Sequence, residues 1–521
     1  MAVYGLSAGL VSLLLGGVLG RAHRFRFLAW GITVALAVAA LLGWLAPSRF
    51  AYYLSPAINE RLLKAATGLT VCAVVAFYTA LLHTAWRRRY GRGSLLLLGT
   101  VVLTANLLLY ERRSAIPPPS EPIGQQSLLE ASRRLRLVVV GIDSASLEAI
   151  LPLVEEGSLP FLGTLLEGGA WGHLRSIRPP RFSSLWTTIS TGQFPYRHGI
   201  TSSDVYSAPW LGEKVELRLL PPLRPLELWL RFFGLGRAID AGDRESIALW
   251  ELLASLGIPT GVVGWPVATP FPPGLAFGVS DRFLAGAPPE GEVVPLRAAE
   301  WARSLRGVTE DLGRGVSPIL ASSSPLRTAL AEDLTRLALL NRFLESEPDR
   351  AAGFVLLPGL RTASRSSYGG FAAVHFEGLR EREYLVAEEA LRAYYVQLDG
   401  LLENLWQRQE GPTLLVLVSA YGVEGASGWR RVRAALIEEK ALEGYVDRAP
   451  PGLFLLYGEG VRPAGRIAEA TLVDLQPTLL YALGLPIGRD LAGKLLRDVY
   501  PAEELSSRPQ TFVASYEALR P

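Results

Sequence analysis

Two patterns of apolar and polar positions divide this chain. Up to about residue 110 the apolar positions run together without a period, in four stretches, Val3–Leu19, Phe27–Ala46, Ala65–Trp86 and Ser94–Tyr110. Each has the roughly 17 to 25 residues that a helix needs to cross about 30 Å of hydrocarbon. The first has no basic residue before it and a basic cluster after it, the reverse of a cleavable signal peptide, so it reads as a retained span. A buried helical bundle in a soluble protein is the alternative, and the basic flanks weigh against it.

Beyond Ile116-Pro-Pro-Pro-Ser-Glu-Pro122, a stiff extended linker, the pattern changes. Short apolar runs at Leu135–Ile142, Pro259–Trp265, Gly353–Leu357, Thr413–Ser419 and Leu453–Tyr457 read as strands. Between them Ser144–Glu156, Ser183–Ser190, Ile247–Leu256, Leu326–Leu344, Leu379–Arg408 and Leu475–Leu483 carry helical patterns. This alternation predicts an α/β fold, a largely parallel sheet with helices on both faces. The expected organisation is an all-α transmembrane region of about four helices over 1–115, a Pro-rich linker over 116–134, the α/β domain over 135–500 and a tail over 501–521. Ligands in such sheets gather at the carboxyl ends of the strands, so the residues just after each run are the ones that matter for chemistry.

Charge sharpens the division. Residues 1–115 carry 12 Lys and Arg against Glu60 and Glu111, a net of +10, so the whole-chain +3 leaves −7 for the rest. An acidic soluble part argues against nucleic-acid binding. Arg21, Arg24 and Arg26 follow the first span, and Arg87, Arg88, Arg89 and Arg92 follow the third. The positive-inside rule then puts both loops in the cytoplasm, and the N-terminus and everything after Tyr110 outside. Tyr52, Tyr53, Trp86 and Tyr110 stand near span ends, where interfacial aromatics belong. The single cysteine, Cys72, excludes an intrachain disulfide and reads as an apolar packing residue. Of five histidines, His23 and His83 belong to the membrane part, so His173, His198 and His375 are the only imidazoles open to a metal site in the domain.

Several segments share one further feature. They are Gly141-Ile142-Asp143, the run from Arg178 through Phe182, Ser183 and Thr191-Gly192 to His198-Gly199-Ile200, and Pro358-Gly359-Leu360-Arg361 through Arg365. Val418-Ser419-Ala420-Tyr421-Gly422, Val473-Asp474-Leu475-Gln476-Pro477-Thr478 and Gly484-Leu485-Pro486 complete the set. Together they resemble the alkaline-phosphatase superfamily, most closely its type I phosphodiesterase/nucleotide pyrophosphatase branch, over most of residues 135 to 500. The resemblance implies an alkaline-phosphatase-like domain with two divalent metals and a Ser or Thr nucleophile about nine residues before the Thr-Gly pair.

Position by position, the implied chemistry is missing. Phe182 stands where the nucleophile belongs, and a phenyl ring cannot attack phosphorus. Asp143 matches a metal-binding Asp, although a strand-end Asp is equally a helix cap. Arg361 and Arg365 replace an Asp and a His, Ala420 and Tyr421 replace another Asp-His pair, and Val446 is the best match to the last expected His. A divalent ion about 4 Å from one guanidinium is repelled by about 8 kcal/mol at an effective dielectric near 20. His198 matches a landmark that is mainly structural.

The expectation is therefore a membrane-anchored pseudoenzyme that holds no metal, serving as a binding or assembly subunit at the outer face. Its former pocket is read in two ways. Arg361, Arg365 and the helix start at Ser183 hold a phosphate, sulfate or acidic side chain, or the arginines pair with Asp143 and fill the pocket. Ser183 and Ser184 are expected to cap that helix. The partners expected are the lipid bilayer, other subunits of a membrane complex and an anionic ligand. The rival is an active phosphodiesterase or phosphotransferase using zinc or manganese. It would need Ser183 as a displaced nucleophile and ligands drawn from His173, His375, Asp281 or Asp447.

Overall fold

The computed structural model describes residues 21–86, 91–110, 135–207, 216–218, 229–310, 316–347, 350–437, 441–463 and 465–520. The chain forms two compact units, Met1–Pro118 and Pro119–Pro521.

In the first unit, α1 (Arg21–Phe50), α2 (Pro56–Ala85) and α3 (Arg92–Tyr110) follow one another. Helices α1 and α2 lie antiparallel. The Trp30 indole donates to Thr84 Oγ1 at 3.2 Å near one end of the pair, and the Trp44 indole to Thr70 Oγ1 at 3.0 Å toward the other. Small residues let the backbones approach: Ala29, Ala40, Ala66, Ala73, Ala76 and Ala80 are buried. Outward, Val34, Val38, Leu41, Val71, Val74 and Tyr78 are exposed, an apolar surface suited to lipid. Ala29–Phe50 and Pro56–Ala85 are each long and apolar enough to cross a membrane. Of the four expected stretches, these contain the second and third. Val3–Leu19 lies outside the described residues, and the fourth falls in α3, a helix of 19 residues whose described apolar stretch, Arg92–Ala105, is shorter than a span.

The second unit is built on a ten-stranded sheet. In chain order its strands and the helices used below are β1 (Arg136–Ile142), α4 (Leu147–Glu155), α5 (Pro160–Gly168), β2 (Ala170–Arg175), α6 (Phe182–Thr191), β3 (Thr260–Val263), β4 (Phe277–Val279), β5 (Val293–Val294), α7 (Ser324–Ser346), β6 (Ala352–Leu357), α8 (Gly359–Glu377), α9 (Arg382–Gln407), β7 (Thr413–Ser419), α10 (Trp429–Leu436), β8 (Gly452–Gly458), β9 (Gly465–Arg466) and β10 (Ala470–Thr471). The order across the sheet is β9-β2-β8-β7-β1-β6-β3-β4-β5, with β10 also paired to β2. The centre, β7-β1-β6-β3-β4, is parallel throughout, and only β8 and β5 run against it.

Both faces are covered, as strands without alternation require. Every residue of β1, β6 and β7 is buried. Val138, Val140 and Ile142 pack with Leu153, Leu162, Leu340 and Leu391 from α4, α5, α7 and α9. On the other face Gly141 makes room for α6. A Cβ there would lie 2.7 Å from the Trp186 ring and 2.8 Å from Leu356 Cδ1.

The register brings Ile142 beside Leu357 and Gly141 beside Val418. Parallel pairing therefore assembles Asp143, Gly359 and Ala420, far apart in sequence, at one edge of the sheet.

Residues 501–520, set aside as a tail on sequence grounds, are packed into the domain. Phe512–Val513 pairs with Ile487–Gly488, the Tyr516 hydroxyl donates to Pro486 O at 2.7 Å, and the Glu517 carboxylate accepts from the Ile247 N–H at 3.0 Å.

Candidate functional site

Asp143 is fully buried just past the end of β1, where its N–H donates to Leu357 O at 3.0 Å. Nothing apolar can compensate a charge there, and one cation approaches it. Arg361 Nη1, from the first turn of α8, lies 3.5 Å from Asp143 Oδ2, at ion-pair rather than hydrogen-bond range. Burial raises the Asp143 carboxyl to about 6, and the Arg361 charge and hydrogen bonds from Tyr421 and Ser144 pull the other way. The Tyr421 phenol, 3% exposed, is itself held well above its ordinary range, first by burial and then by the Asp143 charge, so it is a neutral donor.

The other side of the Arg361 guanidinium faces Phe182, whose ring centroid is 5.3 Å from the guanidinium carbon. One arginine thus contacts both Asp143 and Phe182. Ala420, beside Tyr421, is fully buried. Ser144 has φ +71°, a left-handed conformation unusual for a residue with a Cβ, and it follows Asp143 directly.

Helix α6 begins at Phe182 with Arg181 as its N-cap and no side-chain cap. Ser183 and Ser184, expected as caps, are instead buried inside the first turn. The reason lies in the helix itself. Its hydroxyls bond back along its own turns, Thr187 to Ser183 O at 2.7 Å and Thr188 to Ser184 O at 2.9 Å, and it ends at Gly192 with φ +59°. His198 is a strut. Its Nδ1 accepts from Ile200 N–H at 3.1 Å, so Nε2 donates to Thr188 Oγ1 at 3.0 Å. Burial and the Arg244 charge lower its pKa to about 3, which keeps the ring neutral.

Arg365 and Val446 stand apart from this knot. The Arg365 side chain is exposed, and among the described residues it forms no ion pair; only its carbonyl is engaged, by Gly444 N–H at 3.1 Å. Val446 is half-buried against the core, on a segment stitched to the site by Glu424 N–H to Tyr445 O at 2.9 Å and Gly369 N–H to Leu442 O at 2.8 Å.

The residues do not fit a pair of divalent metals. Asp143 is the one carboxylate of the knot, a guanidinium faces it, and zinc wants about four N, S or O donors. Among the described residues no group of three or more His, Cys, Asp and Glu side chains is arranged to hold a metal. The residues named for the rival reading are engaged separately. His173 lies 3.9 Å from Glu148, His375 sits between Glu156 and Glu388 at 3.7 and 3.3 Å, Asp281 pairs with Arg336 at 2.6 Å, and Asp447 pairs with Arg430.

Sequence reasoning missed Ser144, for which a plain Asp-Ser gives no signal, and the support beneath α6. There Trp186 meets Trp265 edge-on at 5.3 Å, and Trp265 meets Trp250 at 5.8 Å.

Among solved structures, the chain is similar to wild-type alkaline phosphatase PafA at 11% identity, covering 71% of this chain and 99% of that one, with a TM-score of 0.47. It is similar to murine ectonucleotide pyrophosphatase/phosphodiesterase 5 at 14% identity, covering 70% and 100%, with a TM-score of 0.40. Phosphonoacetate hydrolase from Sinorhizobium meliloti 1021 is similar at 17% identity, covering 56% and 57%, with a TM-score of 0.35. No curated protein matches the chain in sequence. The model of the family described as type I phosphodiesterase / nucleotide pyrophosphatase matches residues 137–469, more than half of the 521 and all of the sheet's centre. The chain belongs to the type I phosphodiesterase/nucleotide pyrophosphatase family.

Proposed function

We propose that this chain is a membrane-anchored phosphodiesterase-fold protein that has lost hydrolysis and serves as a binding or assembly subunit, its domain lying on the extracytoplasmic side. One observation carries the reading: the Arg361 guanidinium stands between Asp143 and Phe182, with a fixed organic cation beside the one surviving acid. A nucleophile needs a hydroxyl aimed at phosphorus and a base or metal to activate it. Ser183 is one helical position, about 100°, away from Phe182.

The same pairing favours the filled pocket over the anion site, because Arg361 is already committed to Asp143. Arg365, exposed and without an ion pair among the described residues, is left as the residue through which a phosphate or sulfate would act. The basic loops after the first and third apolar stretches support the domain's placement outside, and four such stretches, more than an anchor needs, support a place in a larger membrane complex.

The test is metal analysis of the purified full-length protein, together with turnover of an aryl phosphodiester. We expect neither stoichiometric zinc or manganese nor turnover. Bound metal at one or two equivalents, or turnover abolished by Ser183→Ala, sinks the reading in favour of a working enzyme.

A further inference from the structure

Helix α10 leaves the carboxyl edge of the sheet shortly after Tyr421 and turns an apolar face to solvent. Trp429 is 73% exposed, Val432 47%, Leu436 72% and the following Ile437 56%. Residues 429, 432 and 436 stand at the i, i+3, i+7 spacing of one helix face. Single exposed apolar residues are ordinary, but four on two turns are a surface that something covers.

The helix is also basic, and Arg433, four residues after Trp429, lies on the apolar face itself. Its sequence from Trp429 reads Trp-Arg-Arg-Val-Arg, and no acid occurs before Glu438. Arg430 faces the domain, paired with Asp447 and stacked on the Tyr445 ring with its guanidinium carbon 4.0 Å from the centroid. Arg433 is exposed and forms no ion pair among the described residues. Trp and Leu on one face with Arg beside them are the composition of a helix that lies in the plane of a lipid interface.

The chain brings such an interface with it. Two of its N-terminal helices are long and apolar enough to cross a membrane, and 24 residues, 111–134, separate α3 from the first described residue of the domain. That much chain reaches at most roughly 80 Å when fully extended, so a bilayer is always at hand. The exposed arginine fits an anionic leaflet, and among the described residues of α10 none is acidic.

We infer that α10 is an interfacial membrane contact. Trp429, Val432, Leu436 and Ile437 enter the head-group boundary of an anionic bilayer, and Arg433 meets lipid phosphate. The contact orients the domain. Through Arg430 it holds the Tyr445–Arg448 segment, which carries Val446 and is stitched to α8, at head-group level. The inference rests on membrane anchoring and is independent of whether the site hydrolyses anything.

The test uses the full chain with Cys72→Ala, reconstituted in vesicles of phosphatidylcholine with or without phosphatidylglycerol. An environment-sensitive fluorophore is placed at Leu436→Cys or, as a water-facing control, at Ser322→Cys, which is exposed on another helix. In anionic vesicles the label at 436 is expected to be quenched by lipid-borne nitroxides and shielded from an aqueous quencher, with the opposite result at 322. Arg433→Gln shifts the docked population about fivefold toward the undocked state in anionic vesicles, the effect of one basic residue near such a surface, and leaves neutral vesicles unchanged.

A label at 436 as open to the aqueous quencher as that at 322 overturns the contact. A label shielded from both quenchers overturns it in favour of a protein cover, a second copy or another subunit. Alkaline carbonate extraction reads the anchoring separately: a chain released from the vesicles removes the foundation, whereas a retained chain with an open label at 436 leaves anchoring intact and refutes the docking alone.

Discussion

Two aspartates, both fully buried and each close to a tyrosine and an arginine, show what separates the candidate site from the scaffold. Asp333, on α7, is completely satisfied by neutral donors. One oxygen accepts the N–H of Gly359 at 3.1 Å, the other the hydroxyl of Tyr394 at 2.9 Å. Gly359 allows this closeness, since a Cβ there would collide with both the Tyr394 hydroxyl and the Asp333 carboxylate. Asp143 is held less fully, with Ser144 Oγ donating to its Oδ1 at 3.4 Å. Its Oδ2 lacks a hydrogen bond and faces a guanidinium that is 41% exposed and 3.5 Å away. The first acid is built into the start of α8; the second has a half-exposed guanidinium at its free oxygen. A buried carboxylate oxygen without a hydrogen bond is costly, and that cost is what the two acids do not share.

The largest effect expected from this contrast is on stability. Asp333→Asn turns a group that accepts twice into one that must present an N–H₂ to a donor, so chemical denaturation should show a loss of about 3 kcal/mol. The same substitution at Asp143 should cost less than about 1 kcal/mol, because it removes a buried charge that is poorly paired. Equal losses would break the comparison. Next comes Arg361→Ala, which leaves Asp143 alone. A loss of about 1 to 2 kcal/mol is expected, below the figure for a fully buried pair because the guanidinium is half in water. Asp143→Asn in the same chain should recover most of it, which a double-mutant cycle reads directly.

The pH dependence follows from the sign of the shifts. Burial raises Asp143 to about 6 and Asp333 to about 7, both above the value near 3.9 of an unfolded chain. Each of these carboxyls holds more protons folded than unfolded between about 4 and its raised value, so its contribution to stability falls across that range; Glu517, raised to about 7, acts in the same direction, and His198, lowered to about 3, opposes them below about 6.5. Asp333→Asn should therefore lose stability less steeply than the unsubstituted chain as pH rises from about 4 to about 7, which thermal melts across that range would show. The smallest effect concerns Phe182. Removing the ring beneath Arg361 with Phe182→Leu should cost about 0.5 to 1 kcal/mol, the size of a partly exposed cation–π contact. A loss above about 2 kcal/mol would mean that the phenyl ring supports α6 rather than the arginine.

Most of the sheet was legible beforehand because its central strands are unbroken apolar runs with turn residues at their ends. Leu135–Ile142 and Thr413–Ser419 match β1 and β7 to within a residue. Helix α8 was not predicted as an element. Its sequence from Gly359 to Tyr368 is rich in Gly, Ser, Thr and Arg, poor helix formers among them, and it is held by the Asp333 cap and by packing against α9. The reversed strand β8 was found as a strand but not as antiparallel, since direction is set by the connection and leaves no mark on composition. The substitutions Phe182, Arg361, Ala420 and Tyr421 could be read one at a time. That Arg361 joins Asp143 to Phe182 while Arg365 points to solvent could not, because neighbouring turns of one helix differ only in what the fold places opposite them.

The sequence by itself determined the two-part organisation, the family and the identity of every residue at the altered positions, for these are properties of runs, motifs and single side chains. Only the tertiary structure decided which of those side chains meet. Long-range parallel pairing of β1 with β6 and β7 brings residues hundreds of positions apart to one edge, and burial there turns Asp143 from one carboxylate among many into an under-satisfied charge with a single cation at its side.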